Sequence, residues 1–500
     1  MIPKFVDTIV VGGGTAGSAM ASRLIEFGNQ SVLLVEAGPD YGPLTQGLWP
    51  KDLMDGRVVS CTDNWDYTSS SVHGHPKHSL QRAKVIGGCS SHNGCIALWG
   101  SRVDYDRWES DGNIGWSTDE VLPYFKKAAS QLKVRDFSLS EITPFHEACL
   151  DTMKRMGIPI TRNLNNMEEN IAVGISPVNI QKGIRWNASF AYLDHVREDS
   201  KLTILGNMLA NKIKFSNGRA VSLNIVTGGD LVEIAGGRIV LCAGTYESPT
   251  ILLRSGIGSP ELLSHLGIKT VVDLPGVGRN LHDHPSISLE FIGNRQLSHR
   301  MGESLANGNT VFTEQSLAKL ASDKCTEAFD LHISPITTLS PNSDGLWPCT
   351  LAISNMAPKS RGRLFIHSDD PRETPVIDTG YLTDPEDNDL SVLLEGISLA
   401  RQISSQLPLS ELIDRELLQS KKLINASTVR RECRHYYHPV GTCKMGPDYD
   451  PMAVVDSQGK VYGTDNVYVA DASIMPIIPR ANTALPTLML AEKIASIIGD

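Results

Sequence analysis

Positive charge is scarce in this chain. Its 500 residues carry 46 Lys and Arg against 56 Asp and Glu, a formal charge of −10. No basic stripe is available to track a phosphate backbone, which argues against a nucleic-acid partner. The charge is compatible with a cationic substrate, but solubility alone would account for it. No apolar run reaches the roughly 20 residues of a membrane span. Tandem repeats and low-complexity tracts are absent. There are nine cysteines, an odd number, and no C-x-x-C pair. Met1–Val6 leads straight into an apolar stretch with no signal-peptide pattern. Free thiols in a reducing, cytoplasmic setting are therefore expected, and no metal-ligand set is expected.

The length suits two domains better than one core. Many of the 43 glycines cluster where backbone must approach something closely. The first cluster is the most informative. Asp7–Val11 reads as a buried parallel strand, ending at Gly12-Gly13-Gly14-Thr15-Ala16-Gly17. A helical stretch follows over Ser18–Phe27, and a second apolar run, Ser31–Val35, ends in Glu36-Ala37-Gly38. Strand, G-x-G-x-x-G, helix, strand and acid in that order predict a dinucleotide site. Gly12 permits the tight turn, Gly14 the approach of a pyrophosphate, and Gly17 close packing of helix on strand. Thr15 and Ala16 complete the glycine turn, and the helix N-terminus behind it offers free N–H groups and positive dipole to phosphates. Glu36 is placed to accept from a ribose diol, and Ala37 follows it. The motif alone does not choose between FAD and NAD.

A second polar, glycine-led turn runs Gly87-Gly88-Cys89-Ser90-Ser91-His92-Asn93-Gly94. It is either a capped loop or a loop laid against a flat polar ring. Near the C-terminus His438 stands in H-P-V-G-T, preceded by Tyr436 and Tyr437. An imidazole is well matched to taking an alcohol proton near neutral pH.

Several blocks, in order behind the N-terminal fingerprint, carry a family resemblance. They are Ala83–Trp99 (A-K-V-I-G-G-C-S-S-H-N-G-C-I-A-L-W), Ala243–Gly258 (A-G-T-Y-E-S-P-T-I-L-L-R-S-G-I-G), Pro275–Pro285 (P-G-V-G-R-N-L-H-D-H-P), His435–Gly446 (H-Y-Y-H-P-V-G-T-C-K-M-G) and Val469–Pro476 (V-A-D-A-S-I-M-P). From about Asp7 to Asp500 the chain resembles the glucose–methanol–choline (GMC) oxidoreductases, and its S-S-H-N looks most like choline oxidase and its bacterial relatives. The resemblance implies FAD, oxidation of an alcohol to an aldehyde or ketone, and His438 as the base. It places Trp65, Val85, Gly88, His92, Asn93, Gly94, Ile96, Ala243, Tyr437, Asp471, Ala472, Asn482 and Thr483 at the cofactor. It also implies a covalent histidyl–FAD link at His92, which would raise the flavin's potential. Dioxygen or another acceptor would reoxidise the flavin.

Two departures stand out. Family members carry a second catalytic His or Asn where this chain has Ala484, which has no polar side-chain atom. Either Asn482 swings in from two residues away or His438 acts alone; His438 acting alone is expected, with Asn482 nearby at the flavin. Choline oxidase holds its trimethylammonium with a glutamate, where alignment puts Gly308; choline is therefore doubted as substrate. Alcohols of amines, aromatics, sugars or aminoglycosides stay open, as do an NAD-linked dehydrogenase and a non-oxidative lyase of similar fold. The oligomeric state is not read from the sequence.

The fold class expected is α/β: a discontinuous Rossmann-like FAD-binding domain plus an α+β substrate domain with an antiparallel sheet. Residues 1–155, 185–290 and 432–500 are assigned to the first, 156–184 and 291–431 to the second.

Overall fold

Two sheets meet along a cleft. The computed structural model describes residues 2–28, 30–71, 76–417, 421–422 and 425–499. Met1 and Asp500, the outer bounds of the predicted nucleotide domain, lie outside the described residues.

The first sheet has seven strands in the order Leu202–Leu205, Val32–Val35, Phe5–Val11, Asp230–Leu241, Arg219–Thr227 and Leu209–Ser216, with Val467–Val469 also pairing Asp230–Leu241. Val32–Val35 and most of Phe5–Val11 are buried, as a short β-branched run covered on both faces requires. These strands, with Leu202–Leu205, the end of Asp230–Leu241 and Val467–Val469, run parallel. Asp230–Leu241 does double duty, because its beginning pairs antiparallel with Arg219–Thr227. The sequence reading found strands at 7–11, 31–35, 238–242 and 467–470 but not this antiparallel extension.

The first helix, Thr15–Phe27, ends at Gly28 with φ +103°, a left-handed stop that glycine adopts without strain. It packs against the C-terminal helix Ala484–Gly499. A buried ion pair ties the two: Arg23 Nη2 lies 2.8 Å from Glu492 Oε1, and the Tyr192 hydroxyl donates to the same carboxylate at 2.9 Å. The last helix thus closes the nucleotide-binding fold begun by the first.

The second sheet is antiparallel, in the order Ile413–Glu416, Pro285–Gly293, Pro348–Asn355, Leu331–Thr337, Ser316–Leu320 and Ala172–Ile175, with Arg434–His435 also on Pro285–Gly293. The helix Asn388–Ser405 covers one face. Phe145, Ala148, Cys149 and Met153 of the helix Pro144–Arg155 also pack into this second core, although the sequence reading grouped them with the nucleotide domain. All nine cysteines are unpaired. Among the described residues no helix is long and apolar enough to cross a membrane.

Candidate active site

A cavity of about 630 Å³ lies between the sheets. Gly12, Gly14, Thr15, Ala16, Glu36 and Ala37 line one end of it. A Cβ on Gly12 would stand 2.6 Å from the Cys242 carbonyl oxygen at a φ of +98°, so only glycine fits the turn. A Cβ on Gly14 would meet only the Gly88 Cα, in van der Waals contact at 3.6 Å. The first N–H groups of Thr15–Phe27 have no acceptor within the helix, and no side chain caps them. The Glu36 carboxylate accepts from the Gly13 N–H at 2.8 Å and the Gly38 N–H at 2.9 Å, which fixes its direction. Burial pushes its pKa up. Donors, cradle and acid together fit a dinucleotide.

The second glycine turn packs on the first: the Gly87 N–H donates to the Gly13 carbonyl at 2.7 Å, and the Ser90 N–H to Thr15 Oγ1 at 3.2 Å. This turns Gly88, His92, Asn93, Gly94 and Ile96 toward the middle of the cavity. The ring Nε2 of His92 bonds the Thr62 carbonyl. Burial lowers the His92 pKa, so the ring stays neutral. Opposite lie Ala243, Asp471 and Ala472. Asp471 accepts from the Gly244 N–H (2.8 Å), Ser248 Oγ (2.6 Å) and Ser473 N–H (2.8 Å), which staples two strand ends together. Trp65 lines the wall, stacked on Tyr67 with ring centroids 5.6 Å apart. Tyr437 lies at the rim, 44% exposed, its carbonyl accepting from Arg82 Nη2 at 3.0 Å.

Two residues expected at the cofactor do not line the cavity. Gly17 faces inward, where a Cβ would stand 1.8 Å from the Gly12 carbonyl oxygen; its place is the helix–strand contact. Val85 is fully buried, and its carbonyl accepts the Gly88 N–H at 2.8 Å beneath the turn.

The other end of the cavity holds the titratable groups. Two segments run side by side from one domain to the other. The His282 and Val440 backbones exchange N–H···O bonds of 3.2 and 2.9 Å, and the Tyr436 N–H donates to the His284 carbonyl at 3.1 Å. This pairing brings His284 Nδ1 to 3.0 Å from His438 Nδ1. Asp283 Oδ1 accepts the His438 backbone N–H at 2.9 Å, and Tyr381 donates to Oδ2 at 3.2 Å. Burial pushes Asp283 up to about 6. Burial, and then the neighbouring His284, hold His438 well below the usual histidine value. His284 itself is pushed down to about 3 by burial. Asp283, His284 and His438 offer ligand atoms within 4.8 Å of one another. A single hydrogen bond between the two rings accounts for the nitrogen pair.

Asn482 completes the group. Its Nδ2 stands 3.3 Å from His438 Nε2, and its Oδ1 is buried without a partner. Nδ2 can only donate, so Nε2 presents its lone pair and the proton sits on Nδ1, donated to His284. Thr483 and Ala484 also line the cavity. Asn482 therefore reaches His438 from two residues before Ala484, whose side chain has no polar atom. The sequence reading weighed Asn482 swinging in against His438 acting alone and favoured the second; Asn482 Nδ2 lies against Nε2.

Glu314, Ser334 and Tyr436 extend the network. The Ser334 and Tyr436 hydroxyls are 3.3 Å apart, and the Tyr436 ring lies 4.6 Å from the His438 ring, centroid to centroid. Glu314 lines the cavity. Gly308, where alignment placed the choline-binding glutamate, does not line it and follows the helix Arg295–Ala306 at a φ of +84°. His284 was visible in a quoted block but nothing local singled it out. Glu314 had no sequence signal at all.

A dinucleotide cradle on a parallel sheet, facing a buried imidazole beside an antiparallel substrate wall, defines a nucleotide-dependent oxidoreductase. Family models described as GMC oxidoreductase match residues 6–286 and 358–491. The chain is 32% identical to choline oxidase of Arthrobacter globiformis, covering 98% of this chain and 94% of that one. It is 34% identical to oxygen-dependent choline dehydrogenase of Pseudomonas syringae pv. tomato, covering 98% and 92%. Among solved structures, pyridoxine 4-oxidase from Mesorbium loti superposes with a TM-score of 0.86 at 27% identity, covering 98% of this chain and 99% of that one. The chain belongs to the GMC oxidoreductase family. It is a flavoprotein oxidoreductase of the alcohol oxidase/dehydrogenase type, acting on CH–OH donors.

Proposed function

We propose that this enzyme oxidises an alcohol to an aldehyde or ketone with His438 as the base and FAD held by the cradle residues 12–16, 36–37, 88–96, 243 and 471–472. Bound FAD would supply the hydride acceptor. One observation carries the proposal: His438 Nε2 is held as a neutral acceptor facing the cavity, with Asn482 as its neighbour. An alcohol O–H entering there donates to Nε2. As the proton transfers to the ring, Asn482 Nδ2 donates to the oxygen that is gaining charge. His284 keeps the proton on Nδ1, so that Nε2 is free at every turnover. Asp283 and Tyr381 hold the backbone of the base in place.

His92 is proposed as the point of covalent attachment. It lines the cavity; the Thr62 carbonyl keeps a proton on Nε2, and the lone pair of the neutral ring falls to Nδ1.

The experiment is anaerobic mixing of the flavin-loaded enzyme with a broad set of alcohols, followed by flavin absorbance. Bleaching by some alcohols is expected, with His438→Ala slower by about 10²- to 10⁴-fold. If no alcohol bleaches the flavin, or the variant bleaches it equally fast, the proposal is wrong.

A further inference from the structure

Arg185 is a cation to which the fold gives no counterion. It ends the short strand Ile184–Arg185 and is fully buried. Its guanidinium holds three backbone carbonyls: Nη1 donates to Ser91, and Nη2 donates to Asp55 at 2.7 Å and to Val58. Its Nε is buried without a partner, and no ion pair involves the residue among those described. Asp55 lends only its carbonyl, because Arg57 Nη2 takes its carboxylate at 2.6 Å. The other titratable groups beside the guanidinium are His92 and Cys95; burial keeps the imidazole neutral and the thiol protonated. Burying a charge without an opposite charge is costly. The guanidinium stands directly behind the cavity wall. The segments that it holds run on into Val59, Ser60, His92 and Asn93, which line the cavity, as does Cys95. Arg82, which lines the cavity itself, has the Asp283 carboxylate in its surroundings to offset it; Arg185 has no such acid.

We infer that Arg185 is a fixed positive charge that favours the reduced, anionic flavin and so draws hydride onto the ring. A hydride brings one negative charge, so a ring that accepts it ends one charge more negative. In a site closed to water, a cation already in place stabilises that charge without reorganisation. Three features suit Arg185 to this part. A guanidinium does not lose its proton inside a protein. The three carbonyls fix its position before any substrate arrives. No neighbouring carboxylate is free to cancel its field. Arg185 does not line the cavity, so it acts as a positioning residue, through the turn that presents His92 and Asn93. A plain structural clamp between 55–58 and Ser91 would need the donors but not the charge, and that difference is measurable. The inference rests on flavin bound in the cradle, and not on the choice of alcohol or base.

The test uses the flavin-loaded enzyme with Arg185→Gln and Arg185→Lys. Glutamine keeps a donor and removes the charge; lysine keeps the charge, and its three donors match the three carbonyls. Two readouts need no alcohol. Sulfite adds its lone pair to the oxidised flavin and leaves the ring negative, so its dissociation constant, followed by flavin absorbance, reports the charge around the ring. In Arg185→Gln that constant should rise by about 10- to 20-fold, the effect of a unit charge acting across about 10 Å at an effective dielectric constant of about 20. The two-electron midpoint potential should fall by about 30–40 mV, the same factor converted. Arg185→Lys should recover most of both. Equal flavin content in all forms shows that the cradle is intact. If Arg185→Gln holds no flavin, Arg57→Gln decides: it frees the Asp55 carboxylate beside an intact Arg185 and should weaken sulfite binding by about 2- to 5-fold, less because Arg57 is partly exposed. A change in sulfite affinity of less than about twofold in the deciding variant, or Arg185→Lys as weak as Arg185→Gln, would overturn the inference. Bleaching by alcohols enters neither readout, so the reaction proposed above can fail while this inference stands, and the reverse.

Discussion

The clearest consequence of the geometry concerns Asn482. Its amide touches His438 Nε2 at 3.3 Å, the atom proposed to receive the alcohol proton. A neutral hydrogen bond of this kind contributes about 0.5–1.5 kcal/mol, so Asn482→Ala should slow flavin bleaching by roughly 2- to 13-fold. The more decisive number is the same substitution made without the base. If Asn482 works on the oxygen whose proton His438 removes, then in a His438→Ala background its loss should slow the reaction by less than about twofold. The coupling energy between the two residues should therefore be about 1 kcal/mol. The assay is single-turnover, anaerobic stopped flow at saturating alcohol, with all four members of the cycle carrying full flavin. Substrate dissociation constants from the same traces should change little, because the amide contact matters as charge develops rather than on binding. Equal fold-losses in both backgrounds would show that Asn482 acts independently of His438. No loss in the wild-type background would show that His438 needs no polar neighbour there.

Two further outcomes follow from the same structure. Six buried imidazoles, His92, His146, His282, His284, His332 and His438, have values lowered by burial, with His146 and His284 at about 3. Each folded value lies below the unfolded one near 6.5, so this contribution to stability is full above pH 6.5 and is lost as pH falls, at about 1 kcal/mol per imidazole between pH 7.5 and 5.5. The raised values of Asp283 and Glu314 act in the opposite direction and return part of that loss. The net effect is a lower Tm by calorimetry at pH 5.5 than at pH 7.5, and an unchanged or higher Tm would contradict the burial of neutral rings. For His92, acid denaturation should bring the yellow colour down with the protein, and His92→Ala should release it; flavin wholly in the wild-type supernatant rules out the bond.

The nucleotide end of the site was legible because its chemistry is local. Gly12, Gly14, Thr15, Ala16 and Glu36 lie within one strand–helix–strand unit, where spacing along the chain is nearly spacing in space. Gly17 and Val85 show the limit of that reading. Their blocks lie at the cavity, but a motif does not say which of its residues faces the cavity and which faces the core behind it. The antiparallel extension of the first sheet was missed for another reason. Asp230–Leu241 changes partners along its length, and no periodicity reports a change of partner. Glu314 was invisible because its meaning lies in what it lacks. An isolated glutamate before a strand looks like any surface acid, and only the fold shows that it is buried in the cavity wall with one oxygen unpartnered.

The position of His438 explains why the two halves of the molecule cannot be read separately. His438 belongs to neither sheet. Just before it, Arg434–His435 pairs with Pro285–Ser286 of the antiparallel sheet. Just after it, the Gly441 and Cys443 N–H groups donate to the Ala472 and Ser473 carbonyls beside the nucleotide strands, at 3.2 and 2.8 Å. His284 sits on the partner crossing, between Leu281 and the strand beginning at Pro285. Each imidazole is therefore fixed from both domains, and their 3.0 Å contact exists only while the two crossings stay in register. Asn482 enters from a third direction, immediately ahead of the C-terminal helix that Glu492 pins to Arg23. Moving the polar neighbour of the base from the first helical residue to the segment before it keeps the amide within reach of Nε2 and leaves the helix start small. On the mechanism proposed above, Asn482 would therefore supply beside His438 the polar atom that Ala484 lacks.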